Sequence, residues 1–197
     1  MTPNSNSRMT DELKRVKELV PPAVRFPYIK MGRSISGFRL DTTGGKFGPF
    51  ANQLFLGDYT LSVIMRATTE QVNGVWQGAC YPFREGLATG IMNVEFSPKG
   101  QLIAGGFTTN RQWPVRGPEP FAIQRIDWSG VMPFEIREIK IKKDGFLIHF
   151  TKPVDKTLAA KTDAYAITTY THIYHGAYGS PEVDQTTARV TDRKSVV

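Results

Sequence analysis

A chain of 197 residues, 40% of them hydrophobic, has the material for one or two domains with a real core, which excludes disorder as its general state. The net charge of +7 favours acidic partners such as anionic polysaccharide, anionic lipid or nucleic acid, but the basic residues are scattered, which argues against a nucleic-acid-binding face. The single cysteine, Cys80, excludes an internal disulfide framework, no apolar run is long enough to cross a bilayer, and the first residues lack a signal-peptide pattern.

Residues 1–22 read as a polar tail and a short helix. Thr10 is the expected cap, Asp11 and Glu12 complement the positive helix end, Leu13, Val16 and Val20 supply the apolar face, and Pro21 and Pro22 stop it. So short a helix must dock to persist. From Ala23 to Ser36 the chain reads as extended, with Phe26, Tyr28 and Ile29 as anchors. Strands follow at Phe38–Asp41, around Leu54-Phe55-Leu56, from Leu61 to Ala67 and at Gly74–Gly78, the last entered through the hairpin dipeptide Asn73-Gly74. Gly44-Gly45-Lys46-Phe47-Gly48-Pro49 lacks the spacing of a phosphate loop, and Pro49 argues against a following helix, so it reads as a turn.

A repeat organises this region. Gln53-Leu54-Phe55-Leu56-Gly57 returns forty-eight positions later as Gln101-Leu102-Ile103-Ala104-Gly105. Each copy follows a short alternating strand, the second being Val94–Ser97, and each precedes a strand ending in arginine, Arg66 or Arg125. An all-strand unit recurring at this period, punctuated by glycine, is the signature of a β-propeller blade. Residues 23–130 are therefore expected to form about two blades.

The second copy carries eleven extra residues between its glycine and its arginine. They place Arg111, Trp113 and Arg116 on a proline-stiffened loop, a composition suited to an anionic or planar ligand; the structural alternative has Trp113 packing on the neighbouring blade. Asp58, just after the first motif glycine, can bind a cation or a sugar hydroxyl, or cap a turn. His172 and His175 fall on opposite faces of a strand and do not converge as metal ligands should. Tyr170, Tyr174 and Tyr178 are spaced to share a strand face. Beyond Gly130, strands at 134–136, 139–141 and 146–150, a turn at Asp144-Gly145 and a further strand from Tyr165 suggest an immunoglobulin-like sandwich over 131–197, apparently truncated.

Several long motifs carry a resemblance. They are the run Pro21–Tyr28, the stretch Asp41–Phe50 with Gln53–Asp58, the segment Asn73–Arg84 and the run Tyr178–Asp184. In these the chain resembles the large bacterial propeller proteins described as membrane-bound dehydrogenase-like or glucose/sorbosone dehydrogenase-like. Where relatives show an Asn-Arg-Gly-Trp-like loop, this chain has Asn110-Arg111-Gln112-Trp113. The resemblance implies a quinoprotein-like propeller followed by an immunoglobulin-like domain, in the periplasm or outside the cell. It implies pyrroloquinoline quinone (PQQ) and calcium as cofactors of the complete protein, a haem c domain as a companion, and a sugar or alcohol as substrate. This chain is then expected to be a C-terminal fragment contributing propeller loops, with the remaining blades or another copy as partner. A non-catalytic module that binds carbohydrate or a cell surface is the alternative.

Overall fold

The computed structural model describes residues 5–109 and 113–191. It is mainly β, with 42% strand and 8% helix, and its sheets are small, antiparallel and open. The chain divides into two compact units, one formed by Ala23–Lys152 and the other by Met1–Pro22 together with Pro153–Val197.

In the larger unit, β1 (Ile35–Leu40), β2 (Leu54–Asp58), β3 (Val63–Val72) and β4 (Val75–Arg84) form a four-stranded sheet in sequential order. The β3–β4 hairpin closes on Asn73 and Gly74, with Val72 opposite Val75. Both turn residues have positive φ, 49° and 80°, as a tight turn matched to strand twist requires. β5 (Asn93–Phe96), β6 (Leu102–Phe107) and β7 (Phe121–Ile126) form a three-stranded sheet, again in sequential order.

The repeat holds at the level of register. Phe55 pairs with Arg39 on one side and Arg66 on the other, while Ile103 pairs with Glu95 and Arg125. Gly57 faces Ile64 as Gly105 faces Ile123. Between the two sheets lies a core of Phe55, Ile64, Ile91, Val94, Leu102 and Ala104, into which the β1–β2 turn drops Phe47 and Phe50. Phe55, fully buried, meets Phe47, Phe83 and Phe96 edge-on at 5.4, 4.9 and 5.4 Å. Such contacts add about 0.5–1.5 kcal/mol per pair beyond burial. The other face of the first sheet buries Leu56, Met65 and Ala67 under Val24, Phe26 and Met31.

Two local expectations in the larger unit are corrected by the structure. Ile29 does not anchor the incoming segment: it sits in a turn at φ 66°, half exposed, and Met31 packs in its place. The turn is set by the amide of Met31 donating to the carbonyl of Pro27. The strands expected at 134–136 and 139–141 are one strand, β8 (Ile136–Lys142), irregular between Ile136 and Glu138. It pairs with β9 (Gly145–Phe150) across the Asp144-Gly145 turn.

In the smaller unit, helix α1 covers Met9–Arg15 with Arg8 at its N-cap, so Thr10 lies inside it. The start is drawn back because Arg8 bridges to Ile173, Asn6 donates to the Tyr174 carbonyl and the Tyr174 amide donates to Ser7. The helix ends well before the prolines, so Val16 is buried while Val20, outside it, is 84% exposed. After the short helix α2 (Lys156–Ala159), capped by Asp155, β10 (Ile167–His172) pairs with β11 (Glu182–Ala188). Only Tyr170 of the three tyrosines lies on β10, so they share no strand face.

Candidate functional site

The expected site residues are Asp58, Arg111, Trp113 and Arg116, and Arg111 lies outside the described residues. Asp58 ends β2 and is fully buried. Its Oδ2 accepts from the amides of Arg33 at 2.6 Å and Ser34 at 2.7 Å, and its Oδ1 accepts from the amide of Leu61 at 2.7 Å. Three backbone donors on one carboxylate make it a tie between the incoming segment and the β2–β3 turn, each charge-assisted bond contributing about 1.5–3 kcal/mol.

The inserted loop does not project freely. Its base closes where the Thr108 amide donates to the Pro120 carbonyl, and its far part returns along the β2–β3 turn of the first sheet. The amides of Arg116 and Gly117 donate to the Thr60 carbonyl at 3.0 Å and to Ser62 Oγ at 2.9 Å. Trp113 Nε1 donates to Thr60 Oγ1 at 3.1 Å and reaches Ser34 Oγ at 3.4 Å. Ser34 and Thr60 hydroxyls are themselves 2.8 Å apart. Asp58 and Trp113 are thus brought into one hydrogen-bonded network through Ser34. The indole is 46% exposed while its nitrogen is held, so its ring offers a fixed apolar plate, and Arg116, three residues on, is exposed. A held indole with an open ring suits a planar or polyhydroxylated ligand.

Tyr59 completes the support, a residue the sequence did not single out. Its hydroxyl accepts from the Thr109 amide at 2.9 Å and donates to the Trp113 carbonyl at 3.3 Å. Burial would raise this phenol, but hydrogen bonds with Thr109 and Thr108 outweigh it and leave the group below its ordinary range.

Arg66 is the other residue whose importance sequence patterning missed. It is 1% exposed, with its guanidinium 3.8 Å from the Phe50 ring centroid and 4.4 Å from that of Tyr81. It donates to Gln53 Oε1 at 2.8 Å, the Arg137 carbonyl at 3.0 Å and the Ile136 carbonyl at 2.6 Å, and lies 3.5 Å from Glu135. Burial lowers its pKa and Glu135 opposes that shift, but an arginine stays charged throughout the working range. Its role is to fasten β8 to the first sheet. The sequence marked it only as the arginine that recurs in the repeat, with nothing to say that it is buried.

Both oxygens of Asp58 accept from backbone amides, so its carboxylate serves the fold. No step through a quinone or a cation is therefore derived for this chain. An open apolar groove of about 530 Å3 lies elsewhere, on the outer face of the second sheet. Cys80 is partly buried with its thiol pushed up to about 11, far from the value of a working nucleophile. Among the described residues no helix is long and apolar enough to cross a membrane. No protein family, curated protein or solved structure matches the chain.

Proposed function

We propose that Ala23–Lys152 contributes two adjoining blades to a β-propeller of the glucose/sorbosone dehydrogenase-like kind, walling a binding mouth for a sugar-like ligand rather than carrying a complete oxidative site. The observation behind this reading is the common register of the two meanders, with Phe55 and Ile103 each set between an inner strand and a repeated arginine. A propeller is built from such antiparallel meanders stacked face to face. Trp113, held by its nitrogen and open on its ring, stands at the rim with Arg116 and, from the sequence, Arg111. In this reading PQQ, calcium and a haem c partner belong to the complete propeller in the periplasm or outside the cell, where the substrate is a sugar or alcohol. The immunoglobulin-like reading of 131–197 has less behind it, since β8–β9 and β10–β11 are separate two-stranded sheets.

The purified chain, titrated with a panel of mono- and oligosaccharides and followed by calorimetry and tryptophan fluorescence, tests the proposal. Saturable binding is expected that Trp113→Ala abolishes and that Arg111→Ala or Arg116→Ala weakens by about 3- to 10-fold, as exposed contacts to a small ligand should. A flat titration across the panel, or dye reduction by this chain alone with PQQ and calcium added, overturns it. A second reading, a carbohydrate or cell-surface binding module with no oxidative partner, is favoured by the full commitment of Asp58 to backbone amides. It predicts the same binding but no dye reduction by any propeller that includes this chain.

A further inference from the structure

The two meanders differ at one edge. In the first sheet the ten-residue β4 closes the far side of β3, whereas in the second sheet no strand follows β7. After Ile126 the chain turns back to the first sheet instead, where Trp128 lies over Gly48 and Arg66 holds the carbonyls of Ile136 and Arg137. Among the described residues the far edge of β7 is therefore open.

The phase of the ladder says which groups that edge presents. In antiparallel strands, facing residues alternate between pairs that exchange both backbone hydrogen bonds and pairs that exchange none. The Thr108 amide donates to the Pro120 carbonyl, one step beyond the pair Phe107 and Phe121, so Ala122, Gln124 and Ile126 turn their peptide groups towards β6. Phe121, Ile123 and Arg125 then turn theirs outwards. In the first sheet the position of Arg125 is held by Arg66, which is paired with Tyr81 of β4. The second sheet thus presents the same hydrogen-bonding groups without the strand that takes them. Its edge is also unguarded: the β6–β7 register runs without a bulge, and β7 carries neither proline nor lysine. Pro120 offers no protection, since the amide it lacks would face β6.

This edge is complementary to itself. A two-fold axis through Ala122 sets two copies of β7 antiparallel, with Phe121 of each opposite Ile123 of the other. Both residues have outward peptide groups, so the two pairs exchange about four hydrogen bonds. Their side chains, 75% and 82% exposed in the single chain, then lie against each other across the strands. The same register places Glu119 of each copy opposite Arg125 of the other, two exposed residues of opposite charge. An axis moved to Ile123 would instead oppose Glu119 to Asp127, which are alike in charge.

We infer that the open edge of β7 pairs antiparallel with β7 of a second copy of this chain, joining two three-stranded sheets into one continuous sheet. The inference rests on strand pairing within β5–β7 and stands apart from what Trp113 binds. A two-fold contact uses the same surface twice, so assembly stops at the dimer.

Sedimentation of the purified chain over a wide concentration range tests it, beside Arg125→Glu, Glu119→Arg and an equal mixture of the two variants. A reversible dimer is expected for the wild type. Either variant alone sets like charges opposite each other at two places and should weaken that dimer about tenfold or more. The mixture should pair as the wild type does, because glutamate then meets arginine at both places. Both positions are exposed, so the dilute variants should melt with the wild type. In the wild type, amide exchange at Phe121 and Ile123 should slow as concentration rises, while Ala122 and Gln124 exchange slowly throughout. A chain that stays monomeric, assembly beyond two copies, charge variants that dimerise like the wild type, a mixture that does not pair, or Phe121 and Ile123 amides that stay fast in the dimer overturns the inference.

Discussion

Arg66 and Arg125 occupy the same register position in the two sheets but should respond very unequally to the same truncation. Arg66→Ala leaves the Ile136 carbonyl and Gln53 Oε1 without this donor, while the Arg137 carbonyl keeps the Gln53 amide at 2.7 Å. Two buried acceptors left unpaired cost about 1–3 kcal/mol each. Loss of the two ring contacts adds about 0.5–2 kcal/mol apiece, and release of a buried charge from its desolvation cost returns several kcal/mol. The expected net loss is about 3 kcal/mol, a large share of the roughly 5–15 kcal/mol of a typical domain. Arg125 is 62% exposed and its bond to Asp127 at 2.8 Å joins two solvated groups, so Arg125→Ala should cost about 0.5 kcal/mol or less. Urea unfolding of the three proteins, read as midpoint shifts at unchanged slope, measures both. Amide exchange should also quicken first in β8 and β9, the strands that Arg66 fastens. Two variants within about 1 kcal/mol of each other would refute the assignment of Arg66 as a buried clamp, by the usual resolution of such differences.

Gly106→Ala should cost about 3 kcal/mol or more in the same assay, because a Cβ there overlaps the Gly90 carbonyl oxygen and crowds the Met92 amide, both backbone atoms. Gly74→Ala meets open space but must hold φ near 80°, so a loss of about 1 kcal/mol is expected, and a neutral result would refute the hairpin conformation. Cys80 should react slowly with a disulfide reagent in the folded chain and quickly once unfolded, since its thiol ionises only at about 11 when folded, against an ordinary value of 9.0. The sign follows from that elevation. Its contribution to stability is complete below about pH 9 and is lost as pH rises towards 11, so Cys80→Ala should flatten stability across that window. A fast native reaction at neutral pH would contradict the burial.

Strand positions were legible because each follows from a local rule. Asn73-Gly74 dictates its turn, and Leu54-Phe55-Leu56 is apolar on both faces because β2 is covered on both. The repeat was legible for a related reason: Gln-Leu-x-x-Gly sits on the central strand of each sheet, where register leaves little freedom. Exposure was not legible. Arg66 and Arg125 hold the same register position within β3 and β7, yet one is sealed and the other solvated, because the deciding atoms belong to a neighbouring sheet and to β8. Asp58 illustrates the middle case. A turn-capping role was written in its position, but the Arg33 and Ser34 amides that complete the tie come from a segment 24 and 25 residues upstream. The start of α1 escaped sequence reasoning altogether, since it is set by Ile173 and Tyr174, and β11 carried no period of its own strong enough to announce it.

The smaller unit is assembled from two stretches of chain with the whole of Ala23–Lys152 between them. Arg8 finds Asp184 at 3.0 Å, and Asn6 and Ser7 find Tyr174, only after that intervening length exists. At elongation rates of about 5–20 residues per second, the roughly 130 intervening residues occupy a ribosome for about 6–26 seconds. Throughout that interval α1 has been made and has nothing to lie against, while the larger unit can already fold on itself. Helix α1 is thus made well before it finds its place, which leaves it open to proteases and chaperones in the interval.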